Sequence, residues 1–257
     1  MRVPILYEDN HLLVVQKPVN VPVQEDNTGD MDVLTFLKND LKIRYEKPGN
    51  VYLGLVHRLD RPVGGVMLFA KTSKAASRLS DLLRRQCIDR EYLAVVRGNP
   101  PKNEGTLEHY LVKNTKENKV YTLPAHHKDA KQAILTYKTI EKTKNMSLVA
   151  VKLLTGRSHQ IRVQLSAAGC PLYGDQKYGS NVNRPGQQIA LWAHSIQFEH
   201  PTKKEIIKIR SNPPMEFPWN QWSALFTDQP QSETGRYKRE STDIYSRPAD
   251  INGKRPI

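Results

Sequence analysis

A chain of 257 residues, 38% of them hydrophobic and 25% charged, can bury a sizeable core as one domain with appendages. No apolar run reaches the roughly 18 to 20 residues of a membrane span, and the start MRVPILYEDNH lacks the cleavage site of a secretion signal, so a cytoplasmic protein with no membrane partner is expected. Two cysteines, Cys87 and Cys170, exclude a disulfide framework and a thiolate zinc site, and a net charge of +13 favours polyanionic partners, nucleic acid first.

The first predicted element is a hairpin over 5–18, with Ile5 to Tyr7 and Leu12 to Val15 flanking a polar turn. Val33, Leu34, Leu37 and Leu41 at helical spacing predict a helix over 31–43 behind an Asp30 cap. The apolar run Val51, Leu53, Leu55 reads as a strand leading into HRLD at 57–60, with Pro62, Gly64 and Gly65 setting a turn before a strand at 66–72. A helix near 74–86 turns Ala75, Leu79, Leu82 and Leu83 inward and Lys74, Arg78, Arg84 and Arg85 outward. EYLAVVRG is a short strand, and the polar stretch 102–131 reads as weak strands and loops. A hairpin over 133–156, a helix over 158–168 and a strand pair over 190–211 complete the body, predicted as residues 1–227. Residues 228–257 hold too few large apolar side chains to offset ordering entropy, and predict a disordered basic tail. Strands dominate at hairpin spacing, so the expected class is α+β with a mainly antiparallel sheet.

Several chemistries fit a histidine, an arginine and an aspartate in HRLD. A protein kinase also needs a glycine-rich loop, a strand lysine and Asp-Phe-Gly, all missing here. His126, His127 and Asp129 lie in a polar loop without the further ligands of a metal phosphohydrolase, and no Gly-x-Ser-x-Gly turn supports a serine hydrolase. One carboxylate remains, Asp60, which serves as nucleophile or base only if a cation keeps it ionised, and otherwise caps a turn. Arg157 and Arg162, in TGRSHQIRVQL, are the candidate cations. Tyr92, heading EYLAVV, packs in the core or offers a platform for a flat base.

HRLDRPVGGVMLFAKT, REYLAVVRG and LLTGRSHQIRVQLSAAGCPLYGDQKYG, in this order, resemble the RluA-type family of pseudouridine synthases, and ILYEDNHLLVVQKPVNVPVQ resembles the opening strands of its catalytic domain. The resemblance covers roughly residues 3–212. It implies the pseudouridine synthase fold, a mixed sheet flanked by helices around a central RNA-binding cleft. It implies an isomerase that breaks the uridine glycosidic bond and rejoins uracil through C5, with no cofactor and no metal. Residue by residue it makes Asp60 the catalytic carboxylate, Arg58 the side chain that enters the RNA stack, Tyr92 the stacking partner of the uracil, Arg162 the ion-pair partner of Asp60 and Ile161 a pocket wall.

His57, Arg157 and His159 accompany these as RNA-contacting residues, His57 with a structural hydrogen-bonding role, and Lys71, Lys74, Arg84 and Arg85 are candidate phosphate contacts. Many relatives read Thr-Ser-Gly where this chain has Val63-Gly64-Gly65, which removes two hydroxyls. The S4 domain of many members is not expected, so targeting would fall to the catalytic face, the 102–131 stretch or the tail. The expectation is a monomer acting on ribosomal or transfer RNA; the rival is an inactive RNA-binding protein of the same fold.

Overall fold

The computed structural model describes residues 1–226 and the strand Ser232–Gly235; the rest of the predicted tail lies outside the described residues. Among the described residues twelve strands form one sheet: β1 (Ile5–Glu8), β2 (Leu12–Lys17), β3 (Gly54–Leu55), β4 (Gly64–Ala70), β5 (Asp89–Arg97), β6 (Glu104–Asn114), β7 (Lys119–Leu123), β8 (Lys131–Lys142), β9 (Met146–Leu153), β10 (Leu191–Glu199), β11 (Ile206–Arg210) and β12 (Ser232–Gly235). The main path runs β1-β2-β4-β10-β5-β9-β8-β6-β7, with β3 beside β4 and β11 and β12 continuing from β10. Every pairing is antiparallel except β4 with β10. This is the expected α+β class.

The central strands are continuous apolar runs because both faces are covered. Leu13 and Val15 of β2, with Tyr92, Ala94 and Val96 of β5, face one core, which α1 (Val33–Arg44) and α3 (Gln160–Ala167) close with Leu37, Leu41, Ile161 and Leu165. Leu12 and Val14 face the other side, against Ala75 and Leu79 of α2 (Ser73–Arg84). Leu93 and Val95 also leave that side, under Trp219 and Trp222 of a short 3-10 helix, Trp219–Leu225. Side chains alternate along each strand, so a run without polar breaks is the signature of a sheet buried twice.

Four expectations change. The cap of α1 is Asp32, whose carboxylate accepts from the Thr35 N–H at 2.9 Å, not Asp30, which stands too far from the first free amides. The stretch 102–131 is mostly ordered: β6 pairs with β8 over eight positions and with β7 over five, its polar alternation belonging to a hairpin half covered by the core. The run before HRLD is a strand only at Gly54–Leu55, and HRLD itself is loop. Ser232–Gly235, within the predicted tail, is a strand on the edge of β11, a pairing that needs only backbone donors and acceptors.

Candidate active site

Three separate segments meet on the face covered by α3. The HRLD loop between β3 and β4, the cleft face of β5 and the TGRSHQIR segment into α3 surround a cleft of about 920 Å³. Its walls include Arg58, Asp60, Tyr92, His159, Ile161 and Arg162.

Close packing fixes the HRLD loop. Lys17, at the end of β2 and fully buried, donates from Nζ to the carbonyls of Pro18, Arg61 and Val63 at 2.9, 3.0 and 2.8 Å. The Val63 N–H closes a turn on the Asp60 carbonyl at 2.9 Å. Gly64 and Gly65 begin β4 and do not form the turn. A Cβ on Gly64 would strike the Trp192 ring, and one on Gly65, where φ is +114°, would strike the Ala193 backbone. The glycines therefore answer to the close approach of β10, and Trp192 fills the volume that a serine at 64 would need.

Asp60 is half-buried, and its Oδ2 accepts from Arg162 Nη1 at 3.2 Å across 102 residues of sequence. Arg162 is 6% exposed, and its Nε and Nη2 clamp Asp175, fully buried, at 2.8 and 2.9 Å. Burial alone would lower the guanidinium pKa; the bonds to Asp175, then the charges of Asp175 and Asp60, raise it instead. Asp175 Oδ1 also accepts from the Lys177 and Tyr178 amides. Arg162 is thus a bridge with one carboxylate behind it and one before it.

His159, with φ of +52°, aims its ring at the same site, Nε2 4.0 Å from Asp60 Oδ2 and Nδ1 2.8 Å from Tyr178 Oη. Burial lowers the His159 pKa against the pull of Asp60, and burial pushes the Tyr178 phenol up to about 12, so it stays protonated. The Tyr178 ring also lies 5.2 Å from the Arg162 guanidinium. Gln160 stitches the loop before α3, taking the Thr155 hydroxyl and Arg157 N–H on its amide oxygen and donating to the Ile134 carbonyl.

Tyr92 and Ile161 are buried in the core and line the cleft as well, so the two readings of Tyr92 are compatible. Arg58 is exposed on the rim. Of the two candidate cations for Asp60, Arg162 makes the pair; Arg157 turns away, its Nε donating to the Gln132 carbonyl at 3.0 Å. His57 Nε2 accepts from the Leu68 N–H at 3.1 Å, and burial lowers its pKa to about 3.

Three of the four candidate phosphate contacts stand outside the cleft walls. Lys71 is tied to Glu8 at 2.7 Å and covers the Tyr45 ring at 4.7 Å, away from the cleft, because β4 ends on the opposite side of the loop. Lys74 is exposed in the first turn of α2, outside the cleft walls. Arg84 lines the cleft and Arg85 does not; both pair with Asp81. His126, His127 and Asp129 are exposed.

Sequence reading missed Asp175 and Lys17. Asp175 sits in GDQKYG, thirteen residues past Arg162, and the only local signal is a lone acid after a helix stop. Lys17 ends a strand of buried residues, where a lysine needs a partner, and that partner comes from a distant loop.

A sheet covered on both faces, with one carboxylate held by an arginine in a cleft beside an aromatic, is the arrangement expected from the resemblance to the pseudouridine synthase class. The RNA pseudouridylate synthase family model matches residues 11–167, and the chain belongs to that family. It is 33% identical over 207 residues to the ribosomal large subunit pseudouridine synthase C of Haemophilus ducreyi, covering 78% of this chain and 62% of that one. It is 31% identical to an uncharacterized RNA pseudouridine synthase of Zymomonas mobilis, covering 79% of this chain and 90% of that one. The chain thus spans less than two thirds of the Haemophilus relative. Two solved structures share the fold: human RNA pseudouridylate synthase domain containing 4 has a TM-score of 0.70 at 23% identity, covering 82% and 88% of the two chains. Human RNA pseudouridylate synthase domain containing 1 has a TM-score of 0.64 at 25% identity, covering 84% and 85%. No helix among the described residues is long and apolar enough to cross a membrane.

Proposed function

We propose that this chain isomerises uridine to pseudouridine in large-subunit ribosomal RNA, with Asp60 as the catalytic carboxylate. The observation that carries the reading is the Asp60–Arg162–Asp175 chain, in which a buried guanidinium fixes one carboxylate at the floor of a cleft walled by Tyr92 and Ile161. In the reaction the N1–C1′ bond breaks, the uracil turns, C5 bonds to C1′, and the C5 proton leaves as N1 regains one. Asp60 acts on the ribose–uracil unit as a carboxylate that the Arg162 hydrogen bond orients in a partly dry site.

The uracil stacks on Tyr92 against Ile161, and Arg58, on the rim, fills the gap left in the RNA stack, which offsets part of the few kcal/mol of unstacking. Arg84 is the remaining predicted phosphate contact on the cleft wall. The ribosomal target is supported by the names of the relatives, and a cytoplasmic location goes with it. A monomer is the working unit of this reading, in which Asp60, Tyr92, Ile161 and Arg162 of a single chain meet in one cleft.

The test uses an in vitro transcript of large-subunit ribosomal RNA labelled with tritium at uridine C5. Wild-type protein releases tritium without freeing uracil, and Asp60→Asn binds the transcript yet releases none. Turnover by Asp60→Asn, or free uracil from the wild type, defeats the reading.

A further inference from the structure

Among the described residues, Arg90 is the cleft arginine with a buried N–H left without an acceptor. It lies two residues before Tyr92 on β5, so both side chains leave the same face of the strand, and both line the cleft. Arg162 has two carboxylates, Arg84 has Asp81, and Arg157 has the Gln132 carbonyl. The Arg90 side chain makes no hydrogen bond or ion pair among the described residues, and its Nε–H is buried without an acceptor.

Beside it stands His57. Its Nε2 accepts the Leu68 N–H, so that nitrogen carries the lone pair and the ring proton sits on Nδ1. Nδ1 is likewise buried without a partner, and the Arg90 charge acts on this ring. Gly156 closes the group: a Cβ there would approach Arg90 Nη1 to 3.1 Å, so glycine leaves the guanidinium its room.

Two buried donors and a positive charge, with no protein acceptor among the described residues, suit an anion that offers several oxygens. A neutral uracil carbonyl would satisfy one donor and leave the charge. A phosphodiester satisfies both, and Arg presents its fork in the plane that phosphate oxygens accept. Two residues along a strand span about 6.7 Å, of the same order as the reach from a nucleobase to its own phosphate. We propose that Arg90 and the His57 Nδ1–H form a seat for a backbone phosphate of the nucleotide whose uracil stacks on Tyr92. This inference rests on the proposed function for the placing of the uracil, and assigns how the cleft grips the flipped nucleotide.

The experiment measures binding of the same ribosomal transcript against salt concentration for wild type, Arg90→Gln and Arg90→Lys. Loss of one phosphate contact flattens the slope of log affinity against log salt by about 0.7 to 0.9, so Arg90→Gln binds more weakly with a slope shallower by that amount. Arg90→Lys keeps the wild-type slope and binds less tightly, because the charge remains and the fork is lost. Weaker binding by Arg90→Gln at an unchanged slope marks a structural role and overturns the proposal, as does wild-type binding. If Arg90→Gln fails to fold, Arg90→Lys decides alone, and wild-type affinity in that variant overturns the seat. Tritium release by wild type on this transcript reads the proposed function separately. A protein that binds with the expected slopes but releases no tritium sinks the function and leaves the phosphate seat standing.

Discussion

Arg162 clamps Asp175 with two nitrogens, Nε at 2.8 Å and Nη2 at 2.9 Å, and spends only its remaining nitrogen on Asp60, at 3.2 Å. The bidentate pair is the more buried of the two, so it sets where the guanidinium lies, and Asp60 takes its direction from there. The carboxylate farther from the cleft is thus the one that positions the site.

Replacing Arg162 by Met strands the fully buried Asp175 without its cation, which costs about 3 to 5 kcal/mol of stability. On the sequence alone this change is expected to cost activity more than stability, because the sequence shows no second carboxylate. Urea denaturation and tritium release on one preparation check the outcome: both fall together, and wild-type stability would exclude the buried clamp.

Asp175→Asn keeps the shape and removes the charge. One amide oxygen still accepts from Arg162, so the cost is about 2 kcal/mol, less than for Arg162→Met. The guanidinium loses its second anchor, and turnover drops on the order of 100-fold through misorientation of Asp60. A drop in kcat with little change in KM is the expected split, since Asp175 touches no substrate.

Gly65→Ala tests the approach of β10 to β4. The new Cβ would sit 2.7 Å from the Ala193 nitrogen, closer still to its carbonyl oxygen, at a φ of +114° that side chains rarely adopt. The strands must part, at about 3 kcal/mol or more. A melting temperature within a degree or two of wild type would show that the sheet gives way there at little cost.

His57 gives the fold a pH dependence of defined sign. Its ordinary pKa of 6.5 falls to about 3 in the folded chain, chiefly through burial, with the Arg90 charge adding to the effect. The unfolded chain therefore takes up a proton that the folded chain refuses, so stability is full above about pH 6.5 and declines towards pH 3, by up to about 1.4 kcal/mol per unit. His57→Asn keeps an acceptor for the Leu68 N–H and cannot titrate. Melting curves between about pH 7 and pH 4.5 should converge for the two proteins as pH falls, and parallel curves would contradict the sign.

By itself the sequence determined what depends on neighbours along the chain. The doubly buried strands are visible as unbroken apolar runs at 12–15 and 92–96 because alternation sends adjacent residues to opposite cores. The helices show in their spacing and the order of three motifs shows the family, and these are properties of contiguous residues. Tertiary structure alone decided that Arg162 rather than Arg157 meets Asp60, that Asp175 stands behind it, that Lys17 ties down the HRLD loop, and that Gly64 and Gly65 yield to Trp192 and Ala193. In each case the partners lie on separate stretches of chain. A charge or a missing Cβ states a need, and only the packing of the whole sheet says which distant group meets it.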